Sequence, residues 1–245
     1  MKTIAIIPAR YASTRFPGKP LIDIGGTTMI QRVHQQASKS QLLDRVVIAT
    51  DDQRIFDHVS GFGGEVIMTA MDHPTGTDRC VETLTLVKDS YEIVINIQGD
   101  EPFIQPEQID LLIRFFKEEY NQYNIATLAK EIDNLKDLHN SNCVKLVFDD
   151  NFKALYFSRF PIPFLRGIDK SASLNHHRFY KHIGLYIYKS SCLSKLTKLP
   201  LGHLEKAESL EQLRWMQAGH SIGVCITDLE SHSIDTPEDL ISLGY

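Results

Sequence analysis

TIAIIPARYASTRFPGKPL, residues 3–21, is an apolar run that gives way to a loop of small residues and cations. Thr3 to Pro8 predicts a buried strand. Beyond the loop, Thr28 to Ser38 has helical spacing and Arg45 to Thr50 is a second apolar, β-branched run, which makes a βαβ unit with a long first loop. The alternation continues with a helix at 53–62, an extended segment at 65–68, a helix at 79–87 and a central strand at 92–97 that is apolar on both faces. Repeated alternation of this kind predicts an α/β fold, a Rossmann-like and mostly parallel sheet with helices on both faces.

Pro106 begins a further helix whose apolar face is Leu111, Leu112, Phe115 and Phe116. The pattern changes from about 124 to 189. There the runs 125–129, 144–148, 154–157 and 183–188 are strand-like with Pro and aromatic residues between them, which reads as a sheet edge, a subdomain or a dimer arm. A helix around 209–218, a strand at 222–226 and a last helix opening at Thr236-Pro237-Glu238-Asp239 close the chain. We expect one domain over 1–245, with the strand-rich part at about 130–189 as a subdomain.

A chain of 245 residues with 42% apolar content can bury one large core. Its net charge of −5 gives no overall attraction to nucleic acid or anionic membrane, so neither is an expected partner, and an acidic ligand needs a local cluster of cations. Cys80, Cys143, Cys192 and Cys225 are scattered singly, without metal-site spacing, and read as reduced thiols. The apolar run at the start is too short for a signal peptide, and nothing approaches a membrane span, so a cytoplasmic protein is expected.

The first loop supplies such a cluster. Arg10, Arg15 and Lys19 follow a strand whose carboxyl end, in an open parallel sheet, is where ligands bind. The loop either solvates the end of the sheet or holds a polyphosphate on its cations and backbone N–H groups. It is neither GxGxxG nor a Walker A loop, since Lys19 is followed by Pro20 and lacks the upstream glycine. After the central strand, Gly99 releases the chain and Asp100 emerges at the same edge; near the end, Thr236 is the natural N-cap before Pro237, which leaves Asp235 free of that task. Two carboxylates on separate loops suit Mg²⁺, which takes one or two carboxylates together with phosphate oxygens.

IPARYASTRFPGKPL, VVIATDD, TGTDR, INIQGDEP, ALYFSRFPIP, YKHIGLYIY, LEQLR and DTPEDL, in that order between residues 4 and 240, resemble the 3-deoxy-manno-octulosonate (KDO) cytidylyltransferase family. The resemblance implies a fold of the nucleotide-diphospho-sugar transferase type, a homodimer, and Mg²⁺-dependent transfer of a cytidylyl group from CTP to KDO for lipopolysaccharide synthesis. By resemblance Arg10, Lys19, Asp100 and Asp235 are catalytic, and Asp100 and Asp235 hold the metal. CTP would lie on Pro8, Ala9, Arg10, Arg15, Lys19 and Asp100, with Gly76 and Arg79 of TGTDR near the cytosine. The sugar would meet Gln98, Arg159, His182, Tyr186, Glu211 and Gln212. This chain departs from the family pattern at Phe164-Leu165-Arg166-Gly167 and in the polar segment through His177, where a Trp-Asp-Arg sequence is expected, which leaves an 8-amino analogue of KDO as an alternative acceptor. A nucleotide-binding regulator on the same fold is the alternative from another class; such a protein has little need for both metal carboxylates.

Overall fold

The computed structural model describes residues 1–12, 16–234 and 236–245. In chain order the elements are β1 (Thr3–Ala9), α1 (Met29–Ala37), β2 (Arg45–Thr50), α2 (Gln53–Gly61), β3 (Val66–Met68), α3 (Gly76–Leu86), β4 (Ile93–Asn96), α4 (Pro106–Glu118) and β5 (Ile125–Glu131). There follow α5 (Leu135–His139), β6 (Lys145–Phe148), β7 (Ala154–Ser158), α6 (Ser173–His176), β8 (Tyr180–Lys189), α7 (Ser190–Leu196), α8 (His203–Glu208), α9 (Gln212–Gln217), β9 (Ile222–Ile226) and α10 (Pro237–Ser242).

The strands form one sheet with the main order β3-β2-β1-β4-β8-β5-β9. β1 pairs in parallel with β2 and β4, and β5 with β9, whereas β8 runs antiparallel to both β4 and β5. Every strand on this path except β8 therefore points the same way, as expected of a mostly parallel α/β sheet. The strand-rich stretch is not set apart from it. β8 lies in the middle of the sheet, and the β6–β7 hairpin joins the same sheet through β6 and β8.

Both faces of β1 are buried, which is why its sequence is a continuous apolar run. Ala5, Ile7 and Ala9 pack with α1, α2 and α4 through residues such as Val33, Val59 and Phe116. Ile4 and Ile6 pack on the opposite face with Cys80, Leu193, Leu213 and Trp215 from α3, α7 and α9. A smaller cluster of Ile24, Met29, Ile234 and Leu240 docks the C-terminal segment beside the first loop.

Helix α3 starts at Gly76 rather than at the expected 79. Thr75 and Asp78 form a capping box, in which Thr75 Oγ1 accepts the Asp78 N–H at 3.2 Å and Asp78 Oδ2 accepts the Thr75 N–H at 3.1 Å. The short helices α5 to α8 were not foreseen. Each is four to seven residues long, which gives apolar periodicity little room to declare itself.

Candidate active site

β1 and β4 run side by side, with Ile6 opposite Asn96, and their carboxyl ends form the floor of the site. The chain beyond β4 passes so near β1 that a Cβ on Gly99 would lie 2.7 Å from the Pro8 carbonyl oxygen. Only glycine allows this approach. Pro8 and Ala9 accordingly build the strand end on which the site rests. Gly18, at φ +73°, donates its N–H to Tyr11 O at 3.0 Å and closes the first loop over the Tyr11 ring. Arg54 stacks on that ring, 3.3 Å from its centroid. The turn delivers Lys19 to Asp100, with Nζ 2.7 Å from Oδ2. Arg15 and Asp235, two of the expected phosphate and metal residues, lie outside the described residues. Ile234 donates its N–H to Asp100 O at 2.9 Å, so the C-terminal segment passes the Asp100 turn.

Arg10 donates to the carbonyl oxygens of His73 and Thr75, which joins the end of β1 to the turn before α3. Burial, followed by the neighbouring Arg79, lowers its pKa, and the carboxylates of Asp51 and Asp78 oppose that shift. Gly76 is the first residue of α3 and lies against Pro8, where a Cβ would come within 3.1 Å of Pro8 Cγ. The expectation for Arg79 is corrected. Its side chain is 0% exposed and bound to Asp51 Oδ2 at 2.8 Å and to Thr69 Oγ1. It ties the ends of β2 and β3 to α3 from below and presents no surface to a base.

A cavity of about 300 Å³ opens beside these residues, lined on one side by Asn96 and Gln98 after β4 and by His182, Gly184 and Tyr186 of β8. Thr77 of α3 and the run Ser209, Leu210, Glu211, Gln212, with Trp215 of α9, complete it. Of the six expected sugar residues, Gln98, His182, Tyr186, Glu211 and Gln212 line this one space. Arg159 does not. Its guanidinium donates to Glu208 O at 2.7 Å, Ser141 O at 3.0 Å and Ser209 O at 3.3 Å, which holds the cavity wall from behind. Asn96 Oδ1, Tyr186 OH, Gln212 Nε2 and Trp215 Nε1 are buried in this lining without a hydrogen-bond partner among the described residues. Buried polar atoms are normally satisfied, and four orphans on residues that line one cavity make it the candidate place for a polar ligand.

Its electrostatics are set by burial. Thr127 has one hydroxyl proton and gives it to Leu185 O at 2.7 Å, so His182 Nε2, 2.9 Å away, is the donor to Thr127 Oγ1. The ring packs edge-on against Phe157 and tilted against Tyr186, and loss of water pushes its pKa down to about 3, which keeps the imidazole neutral. Burial pushes the Glu211 carboxyl up, against the opposing pull of Thr77, Thr75 and Arg214.

Thr77, Asn96, Gly184, Ser209, Leu210 and Trp215 were not foreseen as part of the site. One signal was available for Trp215, the single tryptophan of the chain, because its i,i+4 spacing from Glu211 puts both on one helical face. Asn96 and Tyr186 become neighbours only through the β4–β8 register, which sequence spacing does not encode.

A sequence model of the family described as cytidylyltransferase matches residues 4–222. The chain is 51% identical over 243 residues to a protein of Phocaeicola vulgatus named 3-deoxy-manno-octulosonate cytidylyltransferase, covering 98% of this chain and 95% of that one. It is 46% identical over 242 residues to a Shewanella sediminis protein named 8-amino-3,8-dideoxy-manno-octulosonate cytidylyltransferase, with 98% and 96% covered. Among solved structures, a CMP:2-keto-3-deoxy-manno-octonic acid synthetase complexed with CTP superposes with a TM-score of 0.91 at 40% identity, covering 99% of this chain and 97% of that one.

Proposed function

The chain belongs to the 3-deoxy-manno-octulosonate cytidylyltransferase family of nucleotidyltransferases, and from that premise we propose that it joins CMP from CTP to the anomeric hydroxyl of KDO. The observation that carries the acceptor half is the set of unpartnered polar atoms on Asn96, Tyr186, Gln212 and Trp215 around one cavity. Three of the four can donate a hydrogen bond and two can accept one, the tyrosine hydroxyl doing either, which suits a polyhydroxylated acid.

The anomeric oxygen attacks the α-phosphorus, the bond from that phosphorus to the bridging oxygen of the β-phosphate breaks, and pyrophosphate leaves. Arg10, Arg15 and Lys19 neutralise the triphosphate as charge moves onto the leaving group. Arg159, whose guanidinium is taken up by the carbonyl oxygens of Glu208, Ser141 and Ser209, holds the Ser209 end of the cavity wall in place. The residues at the end of β4 fit Mg²⁺, because Asp100 is a partly exposed oxygen donor at the ligand edge of the sheet and the chain one residue before Asp235 is bonded to its carbonyl. Asp100 and Asp235 would hold it. Bound there, the metal would stabilise negative charge on the phosphate oxygens and lower the pKa of the attacking hydroxyl.

The acceptor chemistry supports a place in lipopolysaccharide precursor synthesis, and the use of CTP supports a cytoplasmic site of action. No helix among the described residues is long and apolar enough to cross a membrane. A homodimer is supported by Leu155, Phe160 and Phe164, large apolar side chains exposed on β7 and the loop beyond it. Pyrophosphate release with Mg²⁺, testing CTP against ATP, GTP and UTP and KDO against its 8-amino analogue and sialic acid, tests the reaction. Release confined to CTP with KDO is expected; turnover of the other sugars in preference to KDO overturns the acceptor. Light scattering tests the dimer, which a monomer mass at assay concentration overturns.

A further inference from the structure

We propose that Glu211 is a neutral acid in the resting enzyme and that this proton determines acceptor specificity, the cavity taking an anionic sugar only while Glu211 carries it. The inference rests on the reading of the acceptor as an acid sugar and adds the charge state its binding needs.

The geometry sets a single hydroxyl proton between two carboxyls. Thr75 Oγ1 lies 2.7 Å from Asp78 Oδ2 and 3.1 Å from Glu211 Oε1, and it also accepts the Asp78 N–H at 3.2 Å. A threonine hydroxyl has a single proton to give. The shorter contact is to Asp78, inside the capping box, so with both carboxyls ionised the Glu211 contact would set lone pair against lone pair. A proton on either carboxyl resolves it, and burial, the largest influence on Glu211, assigns it there. Glu211 Oε1 then donates to Thr75 Oγ1, Thr75 donates to Asp78, and Glu211 Oε2 accepts from Thr77 Oγ1 at 2.8 Å.

The groups around Glu211 are Thr75, Thr77, Asp78 and Cys80 on α3 and its cap, Tyr186 and Tyr188 on β8, and Arg214 on α9. His182 lies on the same cavity and is neutral. Arg214 is the nearest cation, but its guanidinium is 3.8 Å from Glu211 and bound through two nitrogens to Glu205 of α8 at 2.8 Å each. Desolvation is the largest influence on Glu211 and favours the neutral acid, with the Asp78 charge acting in the same direction. Among the described residues, no lysine or arginine lines the cavity. An anionic sugar beside an ionised Glu211 would face a like charge in a half-buried space with no cation among the described lining residues, whereas the neutral acid offers no such repulsion.

The test begins on the ligand-free enzyme, with the difference infrared spectrum of wild type against Glu211→Gln. A protonated-carboxyl band at pH 7 that the variant lacks is expected; no such band overturns the inference. As pH is raised the band should titrate away, and the KM for the acid sugar at saturating CTP should rise about tenfold per pH unit over the same interval, with the KM for CTP unchanged. An acceptor KM that stays flat while the band disappears overturns the specificity role. Should the variant fail to fold, calorimetry of acid-sugar binding to wild type, at a pH on the upper limb of that titration and in two buffers of different ionisation enthalpy, reads proton uptake directly, and no uptake there overturns the coupling. If no acid sugar is turned over at any pH while the band is present, the acceptor reading fails and the protonation of Glu211 stands.

Discussion

Lys19 Nζ lies 2.7 Å from Asp100 Oδ2, a pairing across 81 residues that joins an expected phosphate cation to an expected metal carboxylate. Each neutralises the other at the floor of the site, at the meeting point of the loop after β1 and the turn after β4. Asp100→Ala should lower kcat by about 10² to 10³, the scale on which a charge-stabilising group acts, while changing stability by no more than about 1 kcal/mol, because the pair is partly exposed. Lys19→Met should chiefly raise the KM for CTP. Full turnover by Asp100→Ala at low magnesium would remove Asp100 from the proposed Mg²⁺ site.

Arg79 belongs to the framework. Arg79→Ala should destabilise the fold by about 3–5 kcal/mol, since it leaves Asp51 without its buried partner and Thr69 without its donor. Urea denaturation reads the loss. A variant of unchanged stability but weakened discrimination between CTP and UTP would return Arg79 to the base-binding site.

Trp215→Phe keeps the aromatic packing against Tyr186 and Tyr188 and removes an N–H that has no partner among the described residues. Stability should therefore hold or rise by up to about 1 kcal/mol. The acceptor KM should rise about 5- to 10-fold, the worth of one hydrogen bond, with the KM for CTP unchanged. An unaltered acceptor KM would show that the indole N–H does not meet the sugar.

His182 makes stability depend on acid. Its folded pKa of about 3 lies below the ordinary value of 6.5, so the unfolded chain binds the proton more readily. Its contribution is complete above pH 6.5 and is lost as pH falls from there toward 3. From pH 7 to pH 5 the loss from this residue should be about 1–2 kcal/mol, and His182→Gln should abolish that part of it. Equal acid sensitivity in the two proteins, measured by urea denaturation at both pH values, would count against a dry imidazole.

Much of the scaffold was legible because period and burial travel together. β1 and β4 are apolar on both faces, and α1, α2 and α4 carry one apolar stripe each, so their kinds followed from local pattern. The reversed course of β8 did not. Its insertion between β4 and β5 pairs Tyr186 with Asn96 on one side and Thr127 on the other, through contacts far apart in the chain. The start of α3 at Gly76 was readable from the Thr75–Asp78 capping box, whereas the burial of Arg79 required Asp51 and Thr69 to arrive from two other strands.

By itself the sequence determined which chemistries this protein can perform. Cations on the first loop, a carboxylate after the central strand and polar residues on β8 and α9 are properties of residue type and order, and the motifs that carry the family lie in that order along the chain. Tertiary structure alone decided which of them meet and in what state. It brought Lys19 onto Asp100, put Arg79 beneath the site, gathered Asn96, Tyr186, Gln212 and Trp215 around one cavity, and left His182 and Glu211 half-buried along it, partly desolvated. Those outcomes depend on distance and desolvation, which belong to the packed molecule and have no local signature in the chain.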